Sequence, residues 1–174
     1  FQKKLAFNPI FSKEKREKLE TIINDISDTF IENDHPLLCE ESLVHEFKAS
    51  LRIPYPEMPI YEKKENGKKL FRLGNKEFES EKQIHKFLEG IVLKTIASFL
   101  NTKGGKLVIG VHETGNEKKV VGIKRELLNS HDKYERHLIG LCNNSFGQVI
   151  TSKNISTKIV KIQNIPCCVV ECKK

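Results

Sequence analysis

Apolar positions recur along this chain in blocks whose spacing switches between helical and strand-like. Leu19, Ile22, Ile23, Ile26 and Phe30 fall on one helical face behind Ser12, which can cap, and Lys13, Lys15, Arg16 and Lys18 lie opposite among glutamates. Asn33-Asp34-His35-Pro36 ends that pattern. The next block, CEESLVHEFKASLRI, is strand-like or half-buried at Leu43, Val44, Phe47, Leu51 and Ile53. Pro54, Pro56 and Pro59 keep the following segment extended, and Tyr61 to Leu73 reads as a hairpin turned at Asn66-Gly67. Ser80 with Gln83 makes a capping box ahead of Ile84, Phe87, Leu88, Ile91 and Val92.

The stretch Lys94 to Val111, KTIASFLNTKGGKLVIGV, is the organising unit. Ile96, Phe99 and Leu100 continue the helical spacing, as one helix kinked near Gly90 or as two short ones. Gly104-Gly105 can enter left-handed backbone and stop the helix, and Leu107, Val108, Ile109 and Val111 form an apolar run typical of a central strand. Glu113 sits where that strand leaves the core. Thr114-Gly115-Asn116 then turns the chain, and Val120 to Ile123 reads as a short returning strand. Ser130 can cap a helix that buries Tyr134, Leu138, Leu141 and Cys142 and closes at Gly147. Ile155 to Ile162 alternates, Asn164-Ile165-Pro166 turns, and Cys167 to Cys172 returns. The order βαββαββ predicts an α/β (α+β) two-layer domain, a small mixed sheet with helices packed on it. Residues 1–36 form a helical arm, and residues 37–174 the domain, with the proline-rich and lysine-rich segment 54–80 inserted.

Composition changes this picture in three respects. A formal charge of +7 points equally to a polyanionic partner and to a lysine-rich solubilising surface. No apolar run reaches membrane-spanning length and no signal segment opens the chain, which starts at Phe1 without a methionine, as a piece of something longer would. The five cysteines are odd in number and mostly in apolar surroundings, which fits reduced thiols in an intracellular, reducing compartment, cytoplasm or nucleus. Lys103-Gly104-Gly105-Lys106 lacks the spacing of a Walker loop and precedes a strand.

Candidate chemistry falls into two sets. Lys63, Lys64, Lys68, Lys69 and Arg72 load the hairpin with charge, so it can lean over a nucleic-acid groove with Phe71 or Tyr61 for stacking; edge protection by lysines is the structural alternative. The second set is carboxylates: Glu41, Glu46 and Glu113. Metal-dependent phosphodiester cleavage needs such hard oxygen ligands, together with a cation such as Lys48 at the phosphate. Glu46 and Lys48 share one face of a strand, being two apart, whereas Glu41 joins them only if the strand begins after it, at about Ser42 or Leu43. Spacing alone does not single these three out from the 23 acidic residues.

Glu41-Ser42-Leu43-Val44-His45-Glu46-Phe47-Lys48, then ASFLNTKGGKLVIGV, Glu113 and VVGI, resembles the Schlafen/AlbA-like domain family over about Glu40 to Ile123. The resemblance implies a single AlbA/Schlafen-like lobe and, since Schlafen-core members are metal-dependent endoribonucleases acting on structured RNA such as tRNA, an acidic trio at Glu41, Glu46 and Glu113 holding Mg²⁺ or Mn²⁺. Lys48 would meet the scissile phosphate, and the hairpin cations and Lys103 the RNA backbone. The third carboxylate departs from the family's usual aspartate, reaching one methylene further, and His112 stands where another acidic residue is common. The segment between Glu46 and Gly104 is longer than the family norm. Nuclease forms pair two lobes, which implies a homodimer or a hetero-oligomer with a second Schlafen-like lobe. The family's structural zinc is not expected here: Cys167 and Cys168 are strand neighbours facing opposite sides, His137 and Cys142 are five apart on a helix, and no C-x-x-C occurs. The alternative function is a non-catalytic nucleic-acid-binding module or pseudo-enzyme partner; a protein-interaction domain is the third.

Overall fold

Gly104 and Gly105 do what their position in the sequence predicts: they end one long helix and start the central strand. The computed structural model describes residues 36–38, 44–55, 60–65, 67–115, 117–126 and 130–174. Helix α1 (Glu81–Leu100) runs unbroken for 20 residues, so Gly90 interrupts nothing. Its start is capped by Ser80, whose Oγ accepts from Gln83 N at 3.4 Å, and Gln83 Oε1 accepts from Glu79 N at 2.8 Å. At the other end Gly104, at φ 83°, donates to Phe99 O at 3.0 Å and turns the chain into β5 (Gly105–Ile109).

Strand β5 lies inside a sheet ordered β1-β5-β9-β8, with β1 (His45–Lys48) parallel to β5 and both β9 (Ile165–Cys172) and β8 (Ile155–Ile162) antiparallel. The sheet is therefore mixed, as expected. Alternation along these strands divides the core. Leu107, Ile109, Cys168, Val170 and Cys172 meet Val92, Ile96 and Phe99 of α1 and Tyr134, Leu138 and Cys142 of α2 (His131–Phe146). The other face carries Phe47, Val108, Cys167, Val169 and Ile162, covered by Val111 and Val120 and by Leu37 and Leu38 of a 3-10 turn at Pro36–Leu38. The described domain is thus α+β and two-layered.

Two smaller sheets complete it. Strands β2 (Ile60–Glu65), β3 (Lys68–Leu73) and β4 (Lys76–Phe78) form the inserted sheet, which packs Phe71 and Leu73 against Ile84 and Leu88 of α1. Strands β6 (Val111–Thr114) and β7 (Glu117–Val120) form a hairpin at the exit of β5.

Local chemistry corrects two boundaries and adds a helix. The returning strand is Glu117–Val120 rather than 120–123, because Val121 N and Gly122 N both donate to Gly110 O at 2.8 Å and Gly122, at φ 68°, carries the chain out of the strand. The last hairpin turns at Gln163 and Asn164, both at positive φ (51° and 59°) as a tight two-residue turn requires, so Ile165 and Pro166 already belong to β9. Beyond Gly147 the chain forms a further short helix, α3 (Gln148–Asn154), that no sequence spacing had suggested. The helical arm read from residues 12–30 lies outside the described residues.

Cys167 and Cys168 do face opposite sides of β9, one into each half of the core. Burial pushes the thiols up, Cys142 to about 11 and Cys167 and Cys172 to about 12. Cys142, Cys167, Cys168 and Cys172 are therefore expected to resist iodoacetamide in the native protein at mildly alkaline pH and to react after unfolding, read by mass spectrometry of digests. Each of these thiols is raised above its ordinary value, so its contribution to stability is present below about 9 and is lost as pH climbs through the folded value, with the unfolded chain releasing protons first.

Candidate functional site

Strand β1 begins at His45, after a turn at Val44. The strand thus starts after Glu41, the condition under which that residue could join the other carboxylates; Glu41 itself lies outside the described residues. Alternation sends His45 and Phe47 to one face of β1 and Glu46 and Lys48 to the other, where their neighbours in register on β5 are Leu107 and Ile109. Lys48 Nζ forms an ion pair with Glu46 Oε1 and also donates to Phe47 O at 2.9 Å. Both side chains are about one-third exposed or less (31% for Glu46, 26% for Lys48), reachable from solvent and partly shielded from it.

Glu113 takes a different side. Were β5 to continue straight into β6, residues 109, 111 and 113 would share the face of Glu46 and Lys48. Gly110, at φ 108°, resets the alternation, so that Val111 packs with Phe47 and Val108 instead. Glu113 follows Val111 on that side and pairs with Lys118 Nζ at 3.3 Å, and the same ammonium lies 5.1 Å from the centroid of the Phe47 ring. Position 110 tolerates no side chain: an added Cβ would lie 3.0 Å from Gly122 Cα and 3.1 Å from Cys167 Sγ.

The two described carboxylates of the expected trio therefore carry separate lysines and lie on opposite faces of β1. As donors they suit Mg²⁺ or Mn²⁺, being carboxylate oxygens without thiolates. Among the described residues, however, no three His, Cys, Asp or Glu side chains are grouped so as to hold a metal. The donor types fit such an ion, and the described placement does not assemble them around one.

Lys64 and Lys69 are exposed and stand directly opposite each other in the β2–β3 register, and Lys69 Nζ lies 5.3 Å from the centroid of the Phe71 ring. Lys63 and Lys68 lie in the same two strands. Arg72 is exposed and sits 4.0 Å from Glu77. Lys103 is exposed at the glycine turn. Phe71, expected to stack on bases, is instead only 7% exposed, because its strand face is the one that closes on α1.

Several polar residues around the site left no mark in the sequence. Glu126 is buried, and its carboxylate accepts the backbone N–H groups of Leu51, Arg52 and Ile53 at 2.9, 2.8 and 2.7 Å. That clamp holds the loop that leaves β1 immediately after Lys48. Burial raises the Glu126 pKa, against the opposing pull of the three N–H donors and of Arg125. Glu89 of α1 accepts from His137 Nε2 of α2 at 2.7 Å and lies 3.9 Å from Arg52 Nε, while Arg52 Nη2 is 3.4 Å from His85 Nδ1. His112 packs its ring on Tyr55, with centroids 5.0 Å apart. These partners are separated by tens of residues, so only the fold joins them.

Comparison with curated proteins and with solved structures returned no match. A family model described as Schlafen, AlbA_2 matches residues 41–174, which contain every described strand and α-helix discussed above. That span is most of the 174-residue chain, and it holds the E-F-K strand, the NTKGG turn and the β6 exit in one arrangement. The chain belongs to the Schlafen, AlbA_2 family.

Proposed function

We propose that this domain acts on structured RNA as one lobe of a metal-dependent endoribonuclease. Family membership supports a nucleic-acid-related role, and the observation that carries the finer reading is Glu46-x-Lys48 on the edge strand β1. There a carboxylate and an ammonium stand side by side, partly shielded from water, beside the hairpin that bears Glu113. Glu41, Glu46 and Glu113 are the residues that would hold Mg²⁺ or Mn²⁺. Such an ion, when bound, polarises a phosphoryl oxygen and lowers the pKa of a bound water or hydroxyl. Lys48 supplies positive charge for a phosphate at the same edge, and Lys63, Lys64, Lys68, Lys69, Arg72 and Lys103 supply backbone contacts. A homodimer, or a pair with a second Schlafen-like lobe, would bring two such edges to one RNA.

A second reading, RNA binding without cleavage, is favoured by the ion pairs. Lys48 and Lys118 already neutralise Glu46 and Glu113, and the two carboxylates lie on different faces of β1.

One assay separates these. End-labelled tRNA is incubated with the protein and Mn²⁺, with and without chelator, beside Glu46→Ala. The nuclease reading expects cleavage that chelator abolishes and that falls at least about 100-fold in the variant, as loss of a group contacting the reacting centre does. Binding without cleavage in every lane overturns the nuclease reading and leaves the second. RNA affinity that does not change with salt would remove both, because phosphate contacts release counterions.

A further inference from the structure

The short helix α3 turns two apolar side chains away from the core. Thr151 is its buried residue, whereas Val149 and Ile150 just before it are 66% and 48% exposed. Among the described residues, the other exposed large apolar side chain is Val44. Ile150 forms one wall of an open groove of about 490 Å³ to which all three helices contribute. Ala97 and Leu100 of α1 and Phe146 of α2 make up the rest of its apolar lining, with Asn101 and Asn154 among them. Leu100 and Phe146 are only partly buried, although both pack against the main core cluster. Adjacent exposed apolar side chains beside an apolar groove mark an interaction surface, where single scattered ones do not.

Charge selects the occupant. Residues 90–112 and 136–170, which supply every residue of the groove, contain no Asp or Glu. Lys94 lies one turn before Ala97 on the same side of α1, Lys153 adjoins Asn154, and Lys173 N donates to Asn154 O at 2.7 Å; all three lysines are exposed. Glu171, two residues before Lys173, alternates to the opposite face of the sheet with Val169 and pairs with Lys158 and Lys106 at 3.0 and 3.6 Å. An apolar floor with a cationic rim complements an apolar ligand that carries negative charge. A second copy would bring the same lysines to the rim, like charge against like. RNA would find one partly buried ring, Phe146, among aliphatic walls that give successive bases little to stack on.

We propose that this groove docks an acidic amphipathic helix of a partner protein, with its apolar anchors on Leu100, Phe146 and Ile150 and its carboxylates toward Lys94 and Lys153. Such a helix places its anchors at i, i+3 or i+4, and i+7, and lays them into a groove of this kind. The surface uses none of the residues proposed to contact RNA or metal, so it goes beyond that function and stands or falls separately from it.

The test is fluorescence anisotropy of a labelled synthetic peptide of about 15 residues, leucines at i, i+3, i+4 and i+7 and glutamates elsewhere, titrated with the full chain. A second peptide carries lysine in place of each glutamate. The acidic peptide is expected to bind, and the lysine peptide to bind at least about tenfold more weakly. Ile150→Ser should weaken the acidic peptide about tenfold, and Lys153→Glu should weaken it while strengthening the lysine peptide. Lys82→Glu, exposed in the first turn of α1, is expected to change neither. Circular dichroism verifies folding, and the charge swap at Lys153 serves alone if Ile150→Ser fails to fold. Equal affinity for the two peptides, no binding of the acidic one, or binding that ignores both groove variants overturns the proposal. Displacement of the acidic peptide by tRNA or by phosphatidylserine vesicles assigns the groove to that ligand and overturns it too. So does self-association of the wild type, read by sedimentation, that Ile150→Ser abolishes, since the occupant is then a second copy. None of these results touches the RNA reading, which its own cleavage and binding assay decides.

Discussion

Glu126→Ala is expected to destabilise the domain by roughly 3–5 kcal/mol, enough to leave much of a marginally stable protein unfolded. The substitution strips the acceptor from three consecutive backbone N–H groups, those of Leu51, Arg52 and Ile53. A buried donor left unsatisfied costs about 1–3 kcal/mol, which applies in full to the buried Leu51 bond and in part to the part-buried Arg52 and Ile53 bonds, and the release of a desolvated carboxylate offsets part of the sum. Glu126→Gln keeps one acceptor for Arg52 and Ile53 but sets an amide N–H₂ against the Leu51 N–H, so its loss should be smaller, about 1–3 kcal/mol. The pH dependence follows from the raised pKa of Glu126. A carboxyl whose folded pKa exceeds its unfolded value contributes stability that is fully present below the unfolded value of 4.5 and is lost as pH rises through the folded one. The gap between wild type and Glu126→Gln, measured by urea unfolding, should therefore widen from neutral pH toward pH 4.5. A gap that narrows instead would mean that the three N–H bonds outweigh burial in setting the charge of this group.

That clamp also marks where sequence reading stops. The helix–glycine–strand unit from Lys94 to Val111 was legible because its determinants are local: helical spacing at Ile96 and Phe99, two glycines able to turn, and an apolar run. Opposite facing of Cys167 and Cys168, and shared facing of Glu46 and Lys48, follow from the two-residue period of a strand and needed no tertiary information. Glu113 shows the limit of the same rule. Counting by twos from Ile109 places it with Glu46, yet the single residue Gly110 in a left-handed conformation moves it to the face of Phe47. A glycine between two apolar strand residues was visible in IGV; that it would reset the alternation was not, because its conformation depends on Gly122 and Cys167 packed against it. Glu126 and the Arg52–Glu89–His137 contacts were invisible for a related reason, since partners 75 or 48 residues apart carry no periodic signature. Phe71 does not share the exposure of the hairpin's charged residues, because one face of β3 is needed to close the core on α1.

Gly104→Ala is expected to cost roughly 2–4 kcal/mol, whereas Gly90→Ala should stabilise the domain by about 0.5–1 kcal/mol. The two glycines flank the same stretch of helix and differ in what a methyl group would meet. At Gly104 the backbone is at φ 83°, where an L side chain is strained, and an added Cβ would stand 2.5 Å from the carbonyl oxygen of Cys172. That oxygen belongs to the last residue of β9, which is paired with Gly105 and held by the Lys173 N to Asn154 O hydrogen bond at 2.7 Å. Relief must therefore come from shifting backbone rather than a flexible side chain: either the turn opens or the end of β9 lifts from β5. Gly90 lies inside α1, where an added methyl group would find nothing within 4 Å, and there alanine removes unfolded-state freedom without creating a clash. Urea unfolding of both variants checks the pair. Opposite signs locate the strain at the turn. A Gly104→Ala protein as stable as wild type would show that the NTKGG block tolerates a side chain at its first glycine, and the turn would then not require the left-handed conformation that joins α1 to the strand leading to Glu113.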